Sequence, residues 1–397
     1  MISATFPFPP TKGGTQVRTY NLLKYLQRHH EVTIATLRDP SVSAKEVLEL
    51  RDQVSDLVLF DRPISTANRT LDKVQRFKDF LQTGTPPSVR SNYSPELNLW
   101  IQSSVKAGKF DAITCEHSVN EIYVDPNWQQ NLITTVNIHS SVYATCKNQL
   151  DTKTAEKPLR DRINLPLLKR YEKGLSQKFT NIVVTTQEDA QQFKIFSPQT
   201  PIAVIPNGVD FVDFPYRTTD PANHDLIFIG AMDNLSNIDA ATYLAREIYP
   251  NVRSQFSDAR LLLVGSRPVP EVLALAKPDR VIITGAVPSM AEYLHQASVC
   301  VIPMRTGFGI KNKTLEAMAA GTPVVASDRG LEGLEIPANR RALRANTTED
   351  YVNAIAQLFT QTSLRQTLSE SARDYIEESF TWEQAGRNYE AIVTQRA

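Results

Sequence analysis

Charge of one sign is missing from this sequence. Lys plus Arg and Asp plus Glu stand at 43 each in 397 residues, so no overall field draws the chain to nucleic acid or to an anionic membrane, and any anion recognition must be local. Cysteine is scarce. Cys115, Cys146 and Cys300 lie far apart with no C-x-x-C pair, which argues against a disulfide framework or a thiolate metal site, suits a reducing compartment and predicts three core or near-core thiols. No apolar run reaches the roughly 18 residues that a spanning helix needs. The N-terminus lacks the basic-then-apolar layout of an export leader, so a cytoplasmic protein is expected. The first strand begins almost at Met1, in MISATF, which leaves room for the true start to lie upstream. No D-x-D triplet and no His and carboxylate cluster at ligand spacing occurs, so neither a metal nor a resident cofactor is expected. Low-complexity tracts and fixed-period repeats are also absent.

What is present is an alternation. Short β-branched runs recur with helical patterns between them, the mark of parallel α/β sheets. In the first half these runs are ISAT, VTIATL (32–37), DLVLF (56–60), FDAIT (110–114), LITTVNI (132–138), NIVVTT (181–186) and IAVI (202–205). In the second they are DLIFIG (225–230), RLLLVG (260–265), RVIITG (280–285), SVCVIP (298–303) and TPVVAS (322–327). Between the sets PNGVDFVDFP (206–215) reads as turn chemistry and places a hinge. Two domains follow, 1–206 and 207–376. Helical patterns at 349–359, 361–378 and 382–395 end the chain, and the segment 377–397 is a candidate to pack back on the first domain.

The most informative segment runs from Pro303 to Glu335. A strand ends at Pro303, a loop bearing Gly307 and Gly309 follows, and a helix opens near Lys311 or Asn312. Glycines let backbone amides approach a ligand, and a helix start offers unpaired N–H groups and roughly half a positive charge. That combination suits a diphosphate. Lys311 and Lys313 oppose the helix dipole, a conflict that a bound anion removes. Glu316, one turn on, either accepts hydrogen bonds from the vicinal hydroxyls of a ribose or only pairs with Lys313 at i, i+3.

The run from Gly307 to Gly330, with PNGVD at 206–210 and the Lys-Gly-Gly at 12–14, resembles glycosyltransferase family four. In GIKNKTLEAMAAGTPVVAS and FIGAMDNLSNIDA it is similar to bacterial transferases of exopolysaccharide and surface-glycan assembly. The resemblance implies a GT-B fold, α/β, with two Rossmann-like domains facing each other across a cleft. It implies a retaining, metal-independent transfer of a sugar from a nucleoside diphosphate sugar to an acceptor hydroxyl, the acceptor being a glycan, lipid-linked or small molecule. It assigns the donor diphosphate to the helix start and its basic residues, Lys311 and Lys313, and the ribose to Glu316. Gly307, Phe308, Gly309, Ile310, Gly230 and Asn207 complete the donor set. Two departures stand out. The position eight before Glu316, often a carboxylate that touches the transferred sugar, is Phe308, and the loop GAMDNLSN (230–237) lacks the usual Arg and Lys.

On the first domain the resemblance marks Gly13 and Gly14, on the loop before a helix, as the close approach to the reaction centre, with Arg18 behind them. His139 ends a strand at the carboxyl edge of the sheet, where open α/β folds bind ligands, and such a histidine commonly contacts the transferred sugar in the family. His117, after FDAIT, ranks second. Asp233 and Asn234, and below them Thr185, Thr186 and Glu188, are further candidates, while Asn207 and Gly208 are read either as an interdomain turn or as cleft floor. The acceptor is expected on the Gly13, Gly14 and His139 side, with closure about 206–215 excluding water. A nucleotide-sugar epimerase of similar architecture and a non-catalytic sugar-nucleotide-binding subunit stay open as alternatives. Finally, Lys157 to Lys178 holds seven Lys or Arg against two acids. It reads either as a solvated helix whose basic stems cover apolar surface or as a basic amphipathic surface for peripheral contact with a membrane that carries the acceptor.

Overall fold

A computed structural model describes residues 1–10, 13–63, 80–82, 84–337 and 340–395. The chain forms two compact units, Met1–Pro206 with Ala385–Ala397, and Asn207–Gln384. The segment that returns to the first unit is therefore shorter than 377–397. Residues 377–384 stay with the second unit because Val209 N–H donates to Phe380 O at 2.9 Å and Gly208 packs on the Trp382 backbone so closely that a Cβ would lie 2.3 Å from its nitrogen.

The first unit is built on β1 (Ile2–Ser3), β2 (Thr33–Arg38), β3 (Asp56–Asp61), β4 (Ala112–Glu116), β5 (Ile133–Ile138), β6 (Asn181–Val184) and β7 (Ile202–Val204). They pair in parallel in the order β3-β2-β1-β4-β5-β6-β7. The second unit contains β8 (Asp225–Ile229), β9 (Arg260–Val264), β10 (Val281–Ile283), β11 (Val299–Ile302), β12 (Val324–Ala326) and β13 (Leu343–Arg344), again all parallel, in the order β10-β9-β8-β11-β12-β13. Both orders reverse direction beside their first strand, the Rossmann-like arrangement that opens a ligand crevice at the carboxyl ends of the central strands. Each of the twelve apolar runs forms a strand. β8, β11 and β12 are buried along their whole length, because helices cover both faces of a parallel sheet and leave no solvent side to alternate with.

Local chemistry sets the helix ends. Ser43 with Glu46 and Thr347 with Asp350 form reciprocal capping boxes, satisfying donors that a helix start leaves open. The helices Gly14–Leu26 and Asn312–Ala319 are among those that start with no side-chain cap and no acid in the first turn. Both follow a strand end at the carboxyl edge of their sheet. All three cysteines are buried and free. No described helix is long and apolar enough to cross a membrane.

Candidate active site

In the first unit the uncapped start of Gly14–Leu26 faces the end of β5. Thr15 Oγ1 lies 3.3 Å from His139 Nδ1, while His139 Nε2 is shielded from solvent and has no hydrogen-bond partner. The His117 ring meets His139 edge to face, with centroids 4.9 Å apart. Burial and the neighbouring His117 and Arg18 hold His139 well below the usual imidazole range, and burial pushes His117 down to about 4. Both rings are therefore neutral at pH 7. His117 Nδ1 accepts from Val119 N–H at 3.3 Å, so its proton sits on Nε2. Gly13 and Gly14 are exposed beside this pair; Lys12 of the Lys-Gly-Gly run lies outside the described residues.

Arg18 is not presented to solvent. It is 1% exposed, and its Nε donates to Asn137 Oδ1 at 3.0 Å. Asn137 Nδ2 donates in turn to Glu116 Oε2 at 3.0 Å, and Glu116 Oε1 accepts from Thr114 Oγ1 at 2.8 Å and from Tyr389 OH at 2.6 Å. Burial lowers the Arg18 guanidinium to about 10 against the opposing pull of Glu116. Sequence reasoning missed Thr15, Asn137, Glu116 and Tyr389. Thr15 was findable from its place after the glycine pair, whereas nothing local marks Tyr389, 273 residues from its partner. Thr185 and Thr186 have structural tasks: Thr185 Oγ1 donates to His139 O at 3.2 Å, and Thr186 caps the helix Gln187–Phe196. Glu188 is exposed in the first turn of that helix.

In the second unit the strand ends of β8 and β11 carry the other group of candidates. Gly230, Gly307 and Gly309 hold positive φ values of 151°, 87° and 81°, a region that side chains avoid. A Cβ on Gly230 would come within 2.8 Å of Asn237 Nδ2 and 3.1 Å of Lys313 Nζ. Lys313 reaches the end of β8 from the helix Asn312–Ala319. Its ammonium donates to Asn237 Oδ1 and sits 4.6 Å from the centroid of the Phe228 ring. The loop 230–237 holds no Lys or Arg of its own, and the ammonium beside it comes from a residue more than 70 positions later. Asn237, which also donates to Ala231 O at 2.8 Å, is the partner that sequence reasoning missed.

Lys313 and Glu316 are half-buried on the same helix. They form no ion pair within 4 Å, so the simple i, i+3 pairing does not describe Glu316. No described group hydrogen-bonds its carboxylate. Burial lowers Lys313 to about 7, with Lys311 adding to the effect, and burial raises Glu316 to about 7 against the pull of Lys313. Lys311 has a different task. Its ammonium donates to Gly309 O and lies 3.2 Å from Glu332 Oε2, so it ties the glycine loop to the following turn. Arg329 pairs with Glu332 at 2.9 Å and stacks over Phe308 at 4.0 Å, while Ile310 packs on the unit's core. Asn207 Nδ2 donates to Asn312 Oδ1 at 2.7 Å, at the helix start. Asp233 pairs with Arg267 at 2.5 Å, and Asn234 caps the helix Leu235–Tyr243. The described residues contain no group of three or more His, Cys, Asp or Glu arranged to hold a metal.

Each unit therefore places unusual groups at the carboxyl edge of its sheet, and comparisons with known proteins bear on both. Residues 12–212 match the family model described as Glycosyltransferase Family 4, and residues 223–361 match that of Glycosyl transferases group 1. A lipopolysaccharide core biosynthesis mannosyltransferase of Rhizobium leguminosarum is 25% identical over 54% of this chain and 64% of its own length. The matched part spans only 33% to 64% of the length of three curated relatives. Among solved structures, sucrose-phosphate synthase of Thermosynechococcus elongatus superposes with a TM-score of 0.69 at 19% identity, covering 98% of this chain and 97% of that one. Anabaena HepE, solved in complex with UDP, gives 0.66 at 12% identity over 98% and 97%.

Proposed function

The chain belongs to glycosyltransferase family 4 and is a glycosyltransferase of the GT-B fold; on that premise we propose that it moves a sugar from a nucleoside diphosphate sugar to an acceptor hydroxyl, with retention and without a metal ion. The observation that carries the donor half is Glu316, a half-buried carboxylate with no described hydrogen-bond donor, beside Lys313 on a helix whose start has no cap. Vicinal ribose hydroxyls supply the donors that such a carboxylate lacks, and a diphosphate supplies the counter-charge for Lys313. Glycine backbone at 307 and 309 leaves room for phosphate oxygens. Charge developing on the leaving diphosphate is offset by Lys313 and the amides of the helix start, an electrostatic role that asks for no metal.

In the first unit, neutral His139, with Nε2 unpaired, is the group that orients the transferred sugar, and the uncapped helix start after Gly13 lies beside it, with Thr15 Oγ1 3.3 Å from its Nδ1. The acceptor binds on this unit. Sequence similarity to a lipopolysaccharide core mannosyltransferase supports a glycan or lipid-linked acceptor.

The test is product analysis with candidate nucleoside diphosphate sugars, with and without a panel of glycan and glycolipid acceptors. Transfer should require acceptor, persist in a chelator, and give a product of unchanged anomeric configuration by NMR. Isomerisation of donor alone would replace this reading with an epimerase. Inversion, or loss of turnover in chelator that added metal restores, would remove retention or metal independence respectively.

A further inference from the structure

The helix Pro158–Ser176 divides its charges in a way that packing does not explain. Both of its acids point inward. Asp161 is 7% exposed and Glu172 is 3% exposed. Glu172 Oε2 accepts from Ser141 Oγ and Oε1 from Val142 N–H, each at 2.7 Å, and Tyr171 and Leu175 join the core of the first unit. The inner face is thereby fixed. The basic residues Arg160, Arg162, Lys169, Arg170 and Lys173, with Lys157 just before the helix, all point outward. Arg160 is paired with Asp161, but Arg162, Lys169, Arg170 and Lys173 form no ion pair with a described residue.

Two large apolar side chains share that outer face. Leu159 is 76% and Ile163 is 55% exposed, and they lie one turn apart on the same face as the cations. Residues 159, 162, 163, 166, 169, 170 and 173 follow the 3.6-residue period of one helix face, and every one of them is exposed. A merely solvated helix would mix acids among these cations and gain from i, i+4 pairs. Here the acids are withdrawn and exposed aliphatics are added at the N-terminal end of the stripe. Net neutrality of the whole chain makes the segregation local.

We propose that the outer face of this helix docks on an anionic lipid surface, with Leu159 and Ile163 entering the interface and the basic residues lying at the headgroups. Long Lys and Arg stems reach phosphates while their methylenes remain near the acyl boundary. The face is rigid before it binds, because Glu172 and Tyr171 hold the opposite side, so little ordering cost opposes docking. The same Glu172 caps the turn that follows His139, so the docking helix and the first unit's candidate site share one anchor.

The experiment is co-sedimentation of the full chain with phosphatidylcholine vesicles and with phosphatidylcholine vesicles containing phosphatidylglycerol. Binding is expected only to the anionic vesicles and should weaken steeply with salt. Each basic residue near a membrane surface contributes about fivefold in partitioning, so the triple variant Lys169→Gln, Arg170→Gln, Lys173→Gln should bind roughly a hundredfold more weakly. Leu159→Asp should weaken binding in the same assay, while circular dichroism, thermal unfolding and donor binding stay at wild-type values for both variants. Equal binding to neutral vesicles, failure to bind anionic ones, or undiminished binding by the triple variant would overturn the proposal. Tight binding of the same face to RNA with none to anionic vesicles would replace the lipid surface with a nucleic acid. None of these outcomes touches the transferase reading, which rests on other residues.

Discussion

The two units treat buried charge in opposite ways. In the first, the charges at the carboxyl edge are answered from inside the protein: Arg18 rests on Asn137, and Glu116 gathers Thr114, Asn137 and Tyr389. Beside them sit two neutral imidazoles, His117 and His139, in edge-to-face contact. In the second, Lys313 and Glu316 sit on one helix, half-buried, unpaired with each other, and each displaced to about 7. The first unit answers these charges with its own side chains, whereas in the second no described group hydrogen-bonds the Glu316 carboxylate and Lys313 has no described acid within ion-pairing distance. A charge satisfied internally contributes to stability, while one left open costs stability and yields binding instead.

The sharpest break in this contrast is Glu116→Ala. It strands buried Arg18 and the Tyr389 hydroxyl, and unfolding free energy by chemical denaturation should fall by about 3–5 kcal/mol. Glu316→Ala should do the reverse. Donor affinity should fall by about 1.5–3 kcal/mol, roughly ten- to a hundredfold in Kd by calorimetry, as hydrogen bonds to a charged acceptor are lost, while unfolding free energy holds or rises. Tyr389→Phe removes one hydrogen bond to a buried carboxylate and should lower stability by about 1–2 kcal/mol with donor affinity unchanged.

The smallest effect is on pH. Donor binding needs protonated Lys313, which is lost as pH rises through about 7, and ionised Glu316, which is lost as pH falls through about 7. Affinity should therefore peak near neutrality. Stability carries the matching signs. Between the ordinary carboxylate value of 4.5 and about 7 the folded chain holds a Glu316 proton that the unfolded chain releases, so this group makes stability fall as pH rises. Lys313, depressed from 10.5, makes stability rise with pH above about 7. Glu316→Ala should flatten the slope below pH 7 in denaturation series, and a slope unchanged by the substitution would contradict a raised carboxyl there.

The fold was legible because the strands are short apolar runs set off by turn residues, and β5, β6, β8, β11 and β12 are buried along their whole length. β13, two residues long, is too short to carry a pattern, and the π-helical turn Leu244–Ile248 leaves no compositional mark. Within the candidate site, residues at strand ends and on glycine loops could be read: His139, Gly230 and Gly307 occupy such places, and Glu316 lies in the helix that follows the glycine loop. Their partners could not. Lys311 with Glu332, Lys313 with Asn237 and Asn207 with Asn312 are separated by 21, 76 and 105 residues, so whether a lysine serves a ligand or its own loop is decided only by tertiary packing. That is why Lys311 and Lys313, adjacent candidates in the sequence, divide between a structural tie and a cation at the strand edge.

The most direct test of the contrast is calorimetric binding of nucleoside diphosphates and their sugars to the wild-type protein and to Glu316→Ala, with denaturation of both. Binding that weakens at least tenfold in a variant as stable as the wild type is the predicted result. Equal affinity in the two proteins, or a variant that loses binding only because it unfolds, would show that Glu316 is a structural group and that the second unit's open charges do not await a nucleotide.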